Sequence, residues 1–233
     1  AGIPMSVPSI NVNKVCLSGI NAIYLADQMI QSGDADIVIA GGMESMTNAP
    51  YLAAGARGGF RYGNTELADA IIKDGLWCAF DACLMGLGTE RYNAGGITRE
   101  QQDELAMKSN ERAANAIKDG RFDDEIVPVS IPQRKGDPLL VETDEGVRPG
   151  TTMESLGGLK PAFDKEGTIT AANASQISDG GSAIVMMSER AVNARGVNPL
   201  GQVVGYGMVA GPDNASLLTQ PSRAILKALG KAG

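Results

Sequence analysis

Residues 11–42 read NVNKVCLSGINAIYLADQMIQSGDADIVIAGG, and their pattern decides the fold class. Residues 11–15 form a short strand candidate. From Leu17 the positions Ile20, Ile23, Tyr24, Met29 and Ile30 recur mostly at three- and four-residue spacing, the period of one helix face. Gly33 is placed to end that helix. Residues 36–40, DIVIA, are a nearly continuous apolar run of the kind buried on both faces of a sheet, and Gly41-Gly42 break it. Strand, helix and strand in immediate succession predict a parallel α/β sheet.

Cys16 lies where the first strand candidate gives way to the helix. A thiol at a helix N-terminus meets unpaired backbone N–H groups and the positive end of the helix dipole. Both favour thiolate over thiol and make a nucleophile. The other reading of a free cysteine is a small buried core residue.

After residue 42 the texture changes. Residues 43–62 are irregular and rich in Gly, Ala, Met and Asn. Residues 65–73 read as a short helix stopped by Gly75. Thr98 followed by Gln101 is a capping box opening a strong helix that runs to Lys118. Arg99, Glu100, Asp103, Glu104, Lys108 and Arg112 read as its solvated face. Residues 126–131 are a strand candidate, pushed towards a sheet edge by Pro128. Residues 133–150 are a charged surface excursion. Regular texture returns with the strand 182–187, then a helix capped by Ser188 and ended by Gly196, a strand candidate at 202–209, and a final helix with Pro221 in its first turn. Residues 47–177 therefore read as an insertion between two sheet strands.

The totals exclude several classes. A net charge of -7 and a pI near 4.7 leave no basic excess for a nucleic-acid partner. No apolar run is long enough to span a membrane, and the opening AGIPMSVPSI has no signal-peptide pattern. Three scattered cysteines suit a reduced, cytoplasmic protein, and Cys78 and Cys83 lack the spacing of a metal site. The chain contains no histidine, so it can form no Cys–His or Ser–His pair of its own.

Four stretches could carry chemistry. Cys16 is the first. The second is IAGGMESMTNAPY (39–51), where Gly-Gly lets backbone approach closely at a strand end and Glu44 is either a general base or a solvated loop carboxylate. The third is Arg148 in VRPGTT, which could hold a phosphate bidentately or be a plain surface arginine. The fourth is GTITAANASQISDGG (167–181), whose small residues 171–175 fit a wall where a ligand lies against backbone, or a tight turn before the next strand.

The segments VNKVCLSG (12–19), IVIAGGMESMTNAPY (37–51), RGGFRYGNTELADAIIKDGL (57–76), ITREQQDELAMKSNERA (97–113), LKPAFDKEGTITAANASQISDGGSAIVMMSE (159–189) and PSRAILKALGKAG (221–233), in this order, strongly resemble a thiolase. The resemblance implies an α/β fold of αβαβα layers repeated twice, with a large loop domain inserted in the first half. Residues 1–46 and 178–198 would then belong to the N-terminal α/β domain, 47–177 to the inserted CoA-binding loop domain, and 199–233 to the start of the C-terminal domain. It implies that Cys16 is the acylated nucleophile. A second acetyl-CoA attacks the acyl-enzyme in a Claisen condensation, and the reverse is thiolytic cleavage of a 3-ketoacyl-CoA, a step of fatty acid metabolism. Coenzyme A is a co-substrate, with no permanently bound cofactor and no metal. Its contacts would be Leu76, Met85, Arg148, Ser155, Phe163, Ala171, Ala174 and Ser175, with Arg148 at the nucleotide end and Ser175 beside the pantetheine arm. Thiolases are dimers or tetramers, so a homodimer or homotetramer is implied.

The departures matter as well. Leu84-Met85-Gly86 stands where many thiolases have His-Met-Gly, which makes the pocket more apolar. The family's NEAFA segment, GHP histidine and CxGGG cysteine are absent, so the chain reads as a middle piece of a thiolase, inactive by itself. Two other readings are a CoA-binding or assembly module completed by a partner chain, and a ketoacyl-ACP synthase. The long 47–177 insertion and GGMESM favour thiolase over the last.

Overall fold

The computed structural model describes residues 2–93 and 95–233. In chain order its elements are helix α1 (Ser18–Ser32); strands β1 (Ile37–Glu44), β2 (Tyr51–Leu52), β3 (Ala68–Asp69), β4 (Trp77–Cys78) and β5 (Cys83–Leu84); helices α2 (Met85–Asn93) and α3 (Arg99–Lys118); strands β6 (Val129–Ile131) and β7 (Leu139–Val141); helix α4 (Met153–Gly157); strand β8 (Gly180–Met187); and helices α5 (Glu189–Arg195) and α6 (Gln220–Ala232). The chain divides into two compact units. One holds residues up to 85 together with 177–233, the other residues 86–176. Among the described residues no helix is long and apolar enough to cross a membrane.

In the first unit β1 pairs with β8 along eight residues, Ile37 opposite Met187 and Glu44 opposite Gly180. The pairing is antiparallel, which corrects the parallel sheet expected from residues 11–42. That expectation treated residues 11–15 as a strand, and they form none. The Asn13 side-chain oxygen accepts from the Val15 N–H at 2.9 Å, and the Ser18 hydroxyl accepts from the Lys14 N–H at 2.9 Å. Local side-chain bonds of this kind turn the backbone away from a ladder. The helix itself is as expected: α1 ends at Gly33, whose φ of 82° is the left-handed value that glycine adopts without strain.

Burial along β1 alternates, so this strand is not covered on both faces as its apolar run suggested. Val38, Ala40 and Gly42 are the more buried set, whereas Ile39 is 52% and Met43 90% exposed. Helix α1 packs on β1 through small residues. Ala26 and Ala40 are both buried, and the Gly42 backbone comes close to Gly19. β8 leads directly into α5, where the Ser188 hydroxyl accepts from the Ala191 N–H at 3.1 Å and donates to Asp36 at 2.8 Å. The Ser188 bond, helped by the Arg190 charge, holds the Asp36 carboxyl below its usual range.

Two further expectations are corrected here. Residues 65–73 do not form the continuous helix expected. They contain β3 and the first residues of a π-helix at Ile71–Leu76, whose start the Asp69 carboxylate caps by accepting from the Ile71 N–H at 2.9 Å. Residues 202–209 form no strand. Gly205 and Gly207 let this segment lie against the α6 backbone near Ala224 and Ala228, and Lys227 Nζ donates to the Met208 carbonyl at 2.7 Å. No strand among the described residues pairs with it.

Tyr206 sits in that segment, its ring edge-on to Tyr24 of α1 at 4.9 Å between centroids. Its hydroxyl is buried near Asp27, and among the described residues no group lies within hydrogen-bonding geometry of it. Burial, reinforced by the Asp27 charge, pushes its pKa from 10.0 to about 12. The folded value lies above the unfolded one, so the phenol's contribution to stability is intact below pH 10 and is lost as pH rises towards 12. In an ultraviolet titration Tyr206 is expected to ionise in a late phase, displaced upward towards pH 12. Tyr206→Phe removes that late phase and flattens the alkaline fall in stability. An ultraviolet titration with no tyrosine phase displaced above pH 10 would contradict this.

In the second unit the Thr98 capping box forms as read from the sequence: Thr98 accepts from the Gln101 N–H at 3.2 Å, and Gln101 accepts from the Thr98 N–H at 2.9 Å. α3 is not solvated along its whole charged face. Asp103 is 2% exposed, and Arg99 binds it at 2.6 Å. The two are one helical turn apart, so a single contact with α4 and residues 168–173 covers both. Residues 126–131 supply β6 only from Val129 onward, after Pro128, paired antiparallel with β7.

Candidate active site

Of the three cysteines Cys16 is exposed, Cys78 half-buried and Cys83 buried. Cys16 therefore does not take the core role open to it from sequence. It sits in a tight turn that hands the chain to α1. The Leu17 N–H donates to the Lys14 carbonyl and the Ser18 N–H to the Val15 carbonyl, both at 3.1 Å. The Ser18 hydroxyl donates to the Val15 carbonyl at 2.7 Å. Val15 is thereby held at φ 50°, a left-handed conformation that strains a β-branched residue by about 1–3 kcal/mol. Among the described residues no side chain caps α1, whose N-cap is Leu17, so the positive end of the helix is left open beside Cys16.

The Gly-Gly of β1 serves the close approach its sequence suggested. A Cβ on Gly41 would overlap the Ser182 carbonyl oxygen of β8. Beyond the strand end Asp179 accepts from the Thr47 N–H at 2.8 Å and from the Ser45 hydroxyl at 3.4 Å. The Thr47 bond keeps its carboxyl below the usual range. Asp179 thus ties the loop after β1 to the one before β8. Glu44 is exposed at the end of β1, the solvated alternative.

The other candidate residues divide between the units. Leu76, exposed, and Met85, half-buried, belong with Cys16 to the first. The remainder lie in the second. Arg148 has an exposed side chain, and its backbone N–H donates to Asn110 of α3 at 2.9 Å. Ser155 closes a capping box on α4, accepting from the Thr152 N–H at 3.1 Å and donating to the Thr152 carbonyl at 2.8 Å. The Phe163 ring lies on Gly86 so closely that a Cβ there would collide with it. Ala171, Ala174 and Ser175 share one exposed loop.

What shapes that loop was not foreseen from sequence. Thr170 is completely buried, and its N–H donates to Asn173 Oδ1 at 2.7 Å. Asn173 Nδ2 donates to Asp103 at 2.9 Å and to the Thr168 carbonyl at 3.1 Å. Glu90 accepts from the N–H groups of Thr168 and Ile169 at 2.8 and 2.6 Å. The one signal in the sequence is Asn173, a polar residue inside a run of small ones.

The whole chain is similar to known proteins. The model of the thiolase N-terminal domain matches residues 1–190. A Mycolicibacterium smegmatis relative, "Probable acetyl-CoA acetyltransferase", is 51% identical over 234 residues, covering 100% of this chain and 60% of the relative. An acetyl-CoA acetyltransferase of Thiocystis violacea is 49% identical over 234 residues, covering 100% and 59%. The solved acetyl-CoA acetyltransferase of Syntrophomonas wolfei superposes with a TM-score of 0.93 at 39% identity, covering 100% of this chain and 58% of that one. The chain thus has the α/β fold of these proteins and spans about three fifths of their length.

Proposed function

Because this chain belongs to the thiolase family, we propose that Cys16 accepts an acyl group from an acyl-CoA during acyl transfer to acetyl-CoA, or during the reverse thiolysis of a 3-ketoacyl-CoA. The observation that carries this reading is the exposed thiol of Cys16 in its strained turn at the open end of α1. Cys16 Sγ attacks the thioester carbonyl, the CoA thiolate leaves with a proton, and an acyl-cysteine remains. Acetyl-CoA then loses a proton from its methyl carbon, the carbanion attacks that acyl group to give 3-ketoacyl-CoA, and the Cys16 thiolate that leaves takes up a proton. Coenzyme A is co-substrate throughout, and no resident cofactor is needed.

We assign coenzyme A to the loop domain at 47–177, with residues 1–46 and 178–198 as the N-terminal α/β domain and 199–233 as the start of the next. Arg148, exposed and anchored through its backbone, suits the nucleotide phosphates. Phe163, Ala171, Ala174 and Ser175 suit the pantetheine arm, and Leu76 and Met85 complete the set. Ser155 acts by holding α4 in place. Exposed apolar residues on β1 and β8, among them Ile39 and Val185, support assembly into a homodimer or homotetramer.

These 233 residues include no histidine and so supply no imidazole to take the thiol proton. The chain by itself is therefore expected to be modified at Cys16 without turning over. Iodoacetamide should alkylate Cys16 ahead of Cys78 and Cys83, and acetyl-CoA should leave an acetyl group on the same cysteine in peptide mass spectra. Steady-state thiolysis of acetoacetyl-CoA should be negligible. Native Cys16 that resists alkylation, or acetyl on another cysteine, would sink the proposal. Full turnover would refute the need for an outside base.

A further inference from the structure

We propose that Asp103 and Asn173 are positioning residues for the pantetheine arm of coenzyme A, setting the loop that carries Ala171 and Ala174 without touching the ligand. This rests on the assignment of that loop to coenzyme A. Every polar atom of the Asn173 carboxamide is used: Oδ1 accepts from the Thr170 N–H, and Nδ2 donates to both Asp103 and the Thr168 carbonyl. Asp103 is equally committed, one oxygen to Asn173 and the other to Arg99 Nε. Thr170 is sealed inside, whereas Ala171 and Ala174 on either side of Asn173 face outward.

The arrangement has a cost that position explains better than stability does. A buried ion pair is often no more stabilising than apolar residues of the same size. A satisfied carboxylate–carboxamide pair does define one backbone path, because any shift of the loop strands a buried donor or acceptor. Glu90 fixes the start of the same loop from α2, through the Thr168 and Ile169 N–H groups. The small side chains are thus presented from a backbone held at both ends, which suits a narrow, uncharged arm laid along it.

The test compares two ligands by calorimetry on the 233-residue chain: coenzyme A, and adenosine 3′,5′-bisphosphate, which has the nucleotide end without the arm. Asn173→Asp keeps the size and removes both donated bonds. It is expected to weaken coenzyme A binding about tenfold or more and to leave the bisphosphate unchanged. Asn173→Ala removes the same bonds without setting a second carboxylate beside Asp103, and it carries the test if Asn173→Asp does not fold. Equal weakening of both ligands would overturn the inference, since a general loss of structure does that. Unchanged coenzyme A binding in a folded variant would overturn it too. Failure of the wild-type chain to bind coenzyme A would instead overturn the loop's assignment, and this inference with it.

Discussion

Gly41→Val is expected to remove a large share of the stability of the first unit. A Cβ at this position would run into the Ser182 carbonyl oxygen on the paired strand. The obstacle is backbone, which cannot rotate aside as a side chain does. Overpacking costs about 1–3 kcal/mol where side chains can adjust, so this site falls at the top of that range or above it. Domain stabilities are only about 5–15 kcal/mol. A loss of about 3 kcal/mol at an ordinary urea dependence moves the midpoint down by about 1–3 M. Valine is chosen because it favours strands, so propensity cannot account for the damage. Gly42→Ala is the control. Its Cβ would meet Gly19 at 3.5 Å, ordinary van der Waals contact, and its urea midpoint is expected to stay close to wild type. A stable Gly41→Val chain would show that β1 and β8 are not so close.

The second large effect is expected for Arg99→Met. Methionine keeps much of the alkyl length and removes the charge. The Asp103 side chain, 3% exposed, would lose its cation, and the Leu156 carbonyl would lose a donor at 2.6 Å. Breaking a buried pair from one side costs about 3–5 kcal/mol. Arg99 is 24% exposed, so water can partly replace it, and about 3 kcal/mol is expected. Adding Asp103→Leu should recover part of the loss by removing the stranded carboxylate. It cannot recover all of it, because Asn173 Nδ2 then keeps only the Thr168 carbonyl of its two acceptors. Urea unfolding of the two variants beside wild type measures both steps, and an unchanged midpoint in Arg99→Met would mean that the pair is not buried.

These two sites differ in how readily they are read from sequence. Gly41 was legible in part: two adjacent glycines signal close backbone approach, but they do not break the strand, and β1 runs through them to Glu44. The Thr98 and Ser188 caps and the left-handed glycines at Gly33 and Gly196 were legible for the same reason, since each depends on residues within one turn. The Arg99–Asp103 pair was not. Its spacing is that of any exposed i, i+4 ion pair, and what buries it comes from residues 156–173. The strain at Val15 was equally hidden, because valine is a residue that sequence reasoning puts in a strand.

The sequence by itself determined helices α1, α3, α5 and α6, the family and the candidate nucleophile, because caps, periodicity and motifs are properties of neighbouring residues. Only the tertiary structure decided the direction of the β1–β8 pairing, the exposure of Cys16, the seat of residues 202–209 on α6 and the burial of Asp103. Each of these depends on which distant segment comes to lie alongside. A strand's apolar run does not encode its partner's direction, and a carboxylate on a helix does not encode whether a loop some seventy residues later will cover it.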